Sequence, residues 1–326
     1  MSSIIFSISA LIIGIVGLVW GADKFVASSA SFARNMGISP LIIGLTIVSV
    51  GTSAPEIAVS INAALNNSSE LAVGNALGSN LANVGLVLGI TLLIAPIPIN
   101  RHLIRHEGPA LLLGTALAGF CLYDGVLNRL ESLLLVLLVL PLLIVIVKYK
   151  RAHSDDEQND NIVVFSSGQT TWLFLCGLAV LLLSSEIAVW GASTIAKSLG
   201  ISELIIGLTV VAIGTSLPEL AASVLSAIRG HHDIALGNII GSNLFNIMLV
   251  MGIAGSIYPI SLGDTVFYRD YVAMAGITLL MVGLLAWVLR SARDKATLSS
   301  TAGLGLLAFY FAYNYILWVS TLNSST

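Results

Sequence analysis

The stretch "GISPLIIGLTIVSVGTSAPE" occupies residues 37–56, and residues 200–219 read "GISELIIGLTVVAIGTSLPE". Aligned without gaps at an offset of 163 residues, fifteen of the twenty pairs are identical. The same offset pairs "LAVGNALGSNLAN" (71–83) with "IALGNIIGSNLFN" (234–246), at eight identities in thirteen, and carries Pro96 onto Pro259. A shared offset over this distance marks a duplicated unit. Both copies interrupt an apolar run with a glycine, two hydroxyls, a proline and a carboxylate within six residues. These are Gly51, Thr52, Ser53, Pro55 and Glu56 in the first copy, and Gly214, Thr215, Ser216, Pro218 and Glu219 in the second.

The surrounding chain is built for lipid. Of its 326 residues 56% are hydrophobic and only 10% charged, with a mean hydropathy of +0.97; a soluble domain carries about 25% charged residues. Runs long enough to cross a bilayer, roughly 20 residues each, recur near 3–32, 38–65, 71–95, 108–123, 130–148, 170–198, 202–228, 234–257, 268–289 and 300–320. The expected fold is an all-α membrane protein of ten transmembrane helices. The start, "MSSIIFSISALIIGIVGLVW", has no basic leader and no small-residue cleavage site, so it reads as a retained first span. Cys121 and Cys176 lie in separate apolar runs and read as buried hydrophobes. A net charge of −3 without a basic patch excludes a nucleic-acid partner; the partner is the lipid bilayer.

Five spans per copy is an odd number, so the second copy enters the membrane from the opposite side. That predicts two inverted five-helix repeats, residues 1–149 and 170–326, with broken helices at the centre. The polar stretch 150–169 between them reads as a cytoplasmic linker, and its acidic cluster (Asp155, Asp156, Glu157, Asp160) as a solvated charge run. With alternating loops, eleven basic residues fall on one side: Lys24, Arg34, Arg101, Arg105, Lys148, Lys150, Arg151, Arg229, Arg290, Arg293 and Lys295. Three fall on the other: Arg129, Lys197 and Arg269. The basic side faces the cytoplasm, which puts both termini outside a multi-pass protein of the plasma membrane, the inner membrane in a Gram-negative cell.

Proline 55 has no N–H and its ring crowds the carbonyl four residues earlier, so the helix opens there. A freed carbonyl in hydrocarbon costs several kcal/mol unless something polar meets it. Thr52, Ser53 and Glu56 are three or four residues apart and share a face. A carboxylate inside a span rarely lacks a partner, yet neither segment holds a Lys or Arg. Glu56 and Glu219 would meet near the midplane and repel unless protonated or bridged by cations. Asn75, Ser79 and Asn83 form a polar stripe repeated by Asn238, Ser242 and Asn246, and Gly74, Gly78, Gly237 and Gly241 would let that helix approach the interrupted one. Small and hydroxyl residues in spans often serve packing alone; the doubled motif with its unpaired acid points instead to an ion site. Carboxylate, hydroxyl and carbonyl oxygens suit a hard cation such as Ca²⁺.

"GTSAPE" with "GNALGSNLAN", and "GTSLPE" with "GNIIGSNLFN", resemble the two alpha repeats of the cation/Ca²⁺ exchanger superfamily, in its prokaryotic sodium/calcium exchanger form. The resemblance covers essentially the whole chain. It implies a secondary active antiporter exchanging Na⁺ for Ca²⁺ by alternating access, with three Na⁺ or one Ca²⁺ held in turn at the bilayer centre, no cofactor, and function as a monomer. Carried over by motif position, the implied ligands are the side chains of Thr52, Ser53, Glu56, Ser79 and Asn83 and of Thr215, Ser216, Glu219, Ser242 and Asn246. Backbone carbonyls near Ser49 and Ala212 add to them. Asn246 stands where several relatives, including potassium-dependent ones, carry Asp, which argues against potassium dependence. The long regulatory loop of animal exchangers is absent.

Other polar residues read two ways. Asp23 and Glu186 belong either to sliding gating helices or to the wet ends of long tilted spans. Glu70 and Asp233 favour a helix N-terminus or else capture ions at a pathway mouth, and Glu107 and Asp270 are placed alike. His102, His106, His153, His231 and His232 fall in loops and read as interfacial. A proton-coupled Ca²⁺ exchanger would use the same carboxylates. A passive cation channel lacks the oligomeric ring that filters use. An enzyme lacks a base to activate Thr52, Ser53, Thr215 or Ser216.

Overall fold

The structure, a computed structural model, describes residues 2–66, 69–152, 165–200, 210, 212–263, 266–292 and 296–324. In chain order the helices are α1 (Ser2–Met36), α2 (Pro40–Thr52), α3 (Ala54–Leu65), α4 (Glu70–Ile94), α5 (Gly108–Leu122), α6 (Arg129–Ala152), α7 (Ser167–Ser198), α8 (Ala212–Thr215), α9 (Leu217–Ile228), α10 (His232–Ile257), α11 (Val266–Ser291) and α12 (Ser300–Ser324). Among the described residues seven helices are long and apolar enough to cross a membrane, or eight if the bent pair α2–α3 is one span. Residues 202–209 and 211 of the expected span 202–228, together with 153–164 of the expected linker and its acidic cluster, lie outside the described residues.

The long first helix ends where Gly37 takes a left-handed conformation (φ 61°) and the Ile38 N–H reaches back to the Ala33 carbonyl at 2.8 Å. Only glycine adopts that geometry without strain. Pro40 then starts α2 with a fixed helical φ and no N–H to lose. Gly200, one duplicated unit later, is left-handed too (φ 80°).

Burial sorts the helices. The best spanning window of α10 is 94% buried and that of α4 is 78%, against 28% or less for α1, α6, α7, α11 and α12. The two helices that carry the polar stripes are therefore central, and apolar helices wrap them. Outward side chains such as Phe120, Trp172, Leu137 and Trp287 face the lipid side.

Small residues set the crossings. α1 lies against α7: a Cβ on Gly21 would stand 2.6 Å from the Leu181 nitrogen, and one on Gly177 2.6 Å from the Phe25 nitrogen. α10 lies against α2 of the other half. Cβ atoms on Gly237 and Gly241 would stand 2.7 Å and 2.4 Å from the carbonyl oxygens of Leu41 and Leu45. The expectation for those two glycines holds, with the refinement that the neighbour is the interrupted helix of the opposite copy. The stretch that Gly74 and Gly78 would meet by the same logic, 201–209, is outside the described residues.

Two features depart from uniform α-helix. Wider π-helical turns interrupt α4 at Asn83–Leu88 and α10 at Asn246–Val250, again one duplicated unit apart. Two-residue antiparallel ladders also join the halves. Ile97–Pro98 (β1) pairs with Thr297–Leu298 (β4), and Val126–Leu127 (β2) with Ile260–Ser261 (β3). Both ladders take one strand from each half.

Candidate cation site at the two kinks

The chain kinks rather than unwinds at the first motif. α2 and α3 meet at 46°, with Ser53 at φ −82°, ψ 7°. Backbone bonding continues past it: Ser53 N–H donates to the Ser49 carbonyl at 2.9 Å, and Ile57 N–H to the Ser53 carbonyl at 3.1 Å. Pro55 falls in the first turn of α3, where its missing N–H costs nothing. Ser216 repeats the geometry at φ −90°, ψ 5°. The carbonyl of Gly214, four residues before Pro218, accepts the Ser185 hydroxyl of α7 at 2.9 Å.

Glu56 and Glu219 therefore open α3 and α9, in the first turn where a helix favours negative charge. Each is 1% exposed. Glu219 accepts from the Ser53 hydroxyl of the other half at 3.0 Å and also faces the Thr52 hydroxyl. Glu56 faces the Ser79 hydroxyl, and its charged neighbour is Glu219, close enough to repel. No Lys or Arg pairs with either carboxylate among the described residues; the ion pairs there join Asp23 to Lys24 and Arg229, His102 to Glu107, and Arg269 to Asp270.

Buried polar atoms normally find partners. Around this pair many have none: Oε2 of Glu56 and of Glu219, the hydroxyls of Ser216 and Ser242, and both amide atoms of Asn83 and Asn246. Ser49 is buried too, but its hydroxyl donates to the Leu45 carbonyl at 2.7 Å and its own carbonyl already receives Ser53. Ala212 and Thr215 begin and end α8, directly before the second kink residue. Among the described residues no three His, Cys, Asp or Glu side chains converge. A cation here would meet two charged oxygens, with neutral oxygens completing its shell.

Several residues near the kinks were not singled out from the sequence. Ser60 and Ser223 receive the amides of Asn75 and Asn238. Asn80 donates to the carbonyl of its own duplicate, Asn243, at 3.1 Å. Ser185 reaches the second kink from α7. The 163-residue offset already linked Ser60 with Ser223 and Asn80 with Asn243, and that is the signal that would have found them.

Away from the kinks, Glu70 and Asp233 lie in the first turns of their helices. Glu186 is exposed at an interior position of α7, while Asp23 is engaged with Lys24 and Arg229. Glu107 is buried beside His102 at 3.4 Å, so that histidine has a carboxylate partner rather than a purely interfacial setting. Asp270 accepts from Arg269 at 2.6 Å and from the Tyr313 hydroxyl at 2.9 Å. Cys121 is buried, Cys176 half-buried, and both are free thiols.

The family profile described as "Sodium/calcium exchanger protein" matches residues 6–148 and 169–319. The chain belongs to this family, the prokaryotic form of the cation/Ca²⁺ exchanger superfamily. Among its relatives, CaxA of Alkalimonas amylolytica is 44% identical over 318 residues, covering 95% of this chain and 98% of that one. The inner membrane protein YrbG of Escherichia coli is 38% identical over 285 residues, 85% of this chain and 87% of its own. A solved structure of the sodium-calcium exchanger NCX_Mj, soaked with Na⁺ and Sr²⁺, superposes with a TM-score of 0.81 at 30% identity, covering 95% of this chain and 97% of that one.

Proposed function

We propose that this chain is a secondary active antiporter that exchanges Na⁺ for Ca²⁺ at a mid-membrane site built around Glu56 and Glu219. One observation carries the reading: two buried, mutually repelling carboxyl groups, each with an oxygen lacking any protein partner among the described residues, set among further orphaned hydroxyls and amides and, among those same residues, without a paired basic side chain. An arrangement that expensive persists when a bound ion completes it. Family membership and the likeness to the exchanger NCX_Mj support cation/Ca²⁺ antiport. The ligand set is Thr52, Ser53, Glu56, Ser79, Asn83, Thr215, Ser216, Glu219, Ser242 and Asn246, with carbonyls near Ser49 and Ala212.

The proposed frame is ten spans in two inverted halves, residues 1–149 and 170–326, joined by a cytoplasmic linker, with both termini outside the inner membrane. The contact of Asn80 with Asn243 supports it, because a residue meets its own duplicate beside a two-fold axis. The paired ladders support it differently: Ile97 lies in one ladder and its duplicate Ile260 in the other, so a two-fold axis would exchange them.

Two carboxylates balance one Ca²⁺, whereas three Na⁺ leave one positive charge. Each cycle would then move one net charge, worth about 2.3 kcal/mol per 100 mV. The repelling acids also favour a second reading, in which one of them carries a proton and H⁺ drives Ca²⁺. Radiolabelled Ca²⁺ uptake into proteoliposomes, with Na⁺, K⁺ and H⁺ gradients imposed one at a time, separates the two. We expect the Na⁺ gradient alone to drive uptake and an imposed potential to change its rate. Uptake driven only by the pH gradient would replace Na⁺ with H⁺ as the driver, and a potential-independent rate would rule out the three-to-one stoichiometry.

A further inference from the structure

The polar stripe on α4 and α10 contains two kinds of side chain. Asn83, Ser242 and Asn246 hold buried polar atoms without partners, while Asn75 and Asn238, at the start of the same stripe, spend theirs on the protein. The Asn238 amide nitrogen donates to the Ser223 hydroxyl at 3.0 Å and to the Glu219 carbonyl at 3.5 Å, and its oxygen accepts from the Thr52 hydroxyl at 3.1 Å. Asn75 repeats the first two bonds, to the Ser60 hydroxyl and the Glu56 carbonyl, both at 3.1 Å.

The polarity of the Asn238 amide is fixed by its neighbours. A backbone carbonyl only accepts, so the NH₂ must face Glu219. The opposite face is then the amide oxygen, which also only accepts, so Thr52 must be the donor in that bond; at 3.1 Å it is shorter than the hydroxyl's other contact, with the Ser49 carbonyl at 3.4 Å. A hydroxyl whose proton is committed elsewhere presents only lone pairs to the rest of its surroundings. Thr52 thus turns oxygen, not hydrogen, toward the space it shares with Ser53 and Glu219, which is the polarity a cation needs.

We infer that Asn238 and Asn75 are positioning residues that do not touch the ion. Asn238 holds Thr52 with its oxygen toward the site and ties the first turn of α9 to α10, and Asn75 ties the first turn of α3 to α4. The inference rests on the proposed cation site. Asn238 is fully buried and Asn75 half-buried, so the second brace carries the larger effect.

The test uses the full chain, with Ca²⁺ itself as the probe. Its affinity is read from the Ca²⁺-dependent shift of thermal unfolding in detergent, and KM and kcat from uptake in proteoliposomes. Asn238→Ala is expected to weaken Ca²⁺ about tenfold, raising KM more than it lowers kcat. With Thr52→Val already present, the further loss from Asn238→Ala should shrink to about threefold or less, because one of its two routes is gone. Ser223→Ala removes a single anchor and should weaken Ca²⁺ about threefold, which keeps the inference testable if Asn238→Ala does not fold. Losses that multiply in the double variant, or unchanged affinity in both Asn238→Ala and Ser223→Ala, would overturn it. A wild-type protein that binds Ca²⁺ without coupling it to Na⁺ sinks the antiport reading and leaves this cycle intact; one that binds no Ca²⁺ sinks both.

Discussion

At the second kink the carbonyl of Gly214 is met by the Ser185 hydroxyl of α7. At the first kink the equivalent carbonyl belongs to Gly51, and the position one duplicated unit before Ser185 is Ala22, a methyl with no proton to give. The hydroxyls differ as well. Ser53 crosses to Glu219 at 3.0 Å, while its duplicate Ser216 is buried without a partner. One motif, written twice and folded into nearly the same backbone angles, is thus bonded in two ways. Local sequence sets the kink; the facing half decides which oxygens remain unmatched.

The comparison can be broken at its strongest point by removing the acids. Glu56→Gln and Glu219→Gln should each lower Na⁺-driven Ca²⁺ uptake about a hundredfold or more, since each deletes one of the two buried carboxyl groups proposed to balance the ion, while membrane insertion persists. Flux surviving in only one of them would mean that a single kink holds the ion. A smaller effect is expected at Gly241, whose added Cβ would stand 2.4 Å from both the Leu45 carbonyl and the Ser49 hydroxyl. Gly241→Ala forces α10 away from the arm that leads into the first kink and should cost about 1–3 kcal/mol, read as a lowered thermal midpoint in detergent. An unchanged midpoint would show that the two helices part easily. The smallest effect belongs to Ser185→Ala, which makes the two kinks alike. Losing that hydroxyl should cost about 1 kcal/mol and leave the Ca²⁺ KM near the wild-type value; a large rise in KM would instead place Ser185 in the ion pathway.

Much of this was legible from the chain itself. Apolar runs gave the helices, and the doubled Gly-Thr-Ser-x-Pro-Glu gave the kinks and the two acids that the structure buries together. What the sequence hid is what passes between halves. Ser53 with Glu219 and Thr52 with Asn238 are contacts across more than a hundred and sixty residues, and periodicity within one helix cannot register them. The polar stripe alone could not tell that the amides of Asn75 and Asn238 are bonded to Ser60 and Ser223. The fourth span was expected from residue 108, yet helical structure already runs through Leu103–Glu107, where the buried Glu107 meets His102 at 3.4 Å. Two-residue ladders are too short to leave an alternating pattern at all.

Those ladders bear on what the folding unit is. Each half supplies one strand to both, one long helix to the α1–α7 crossing, and one acid to the buried pair at the kinks. Separated from its twin, either copy would expose two raw strand edges and a bare glycine seam, and the second copy's Glu219 would forfeit the serine that now steadies it. The duplicated copies act less like two domains on a string than like the two blades of one pair of scissors, each without an edge to close on until the other is present.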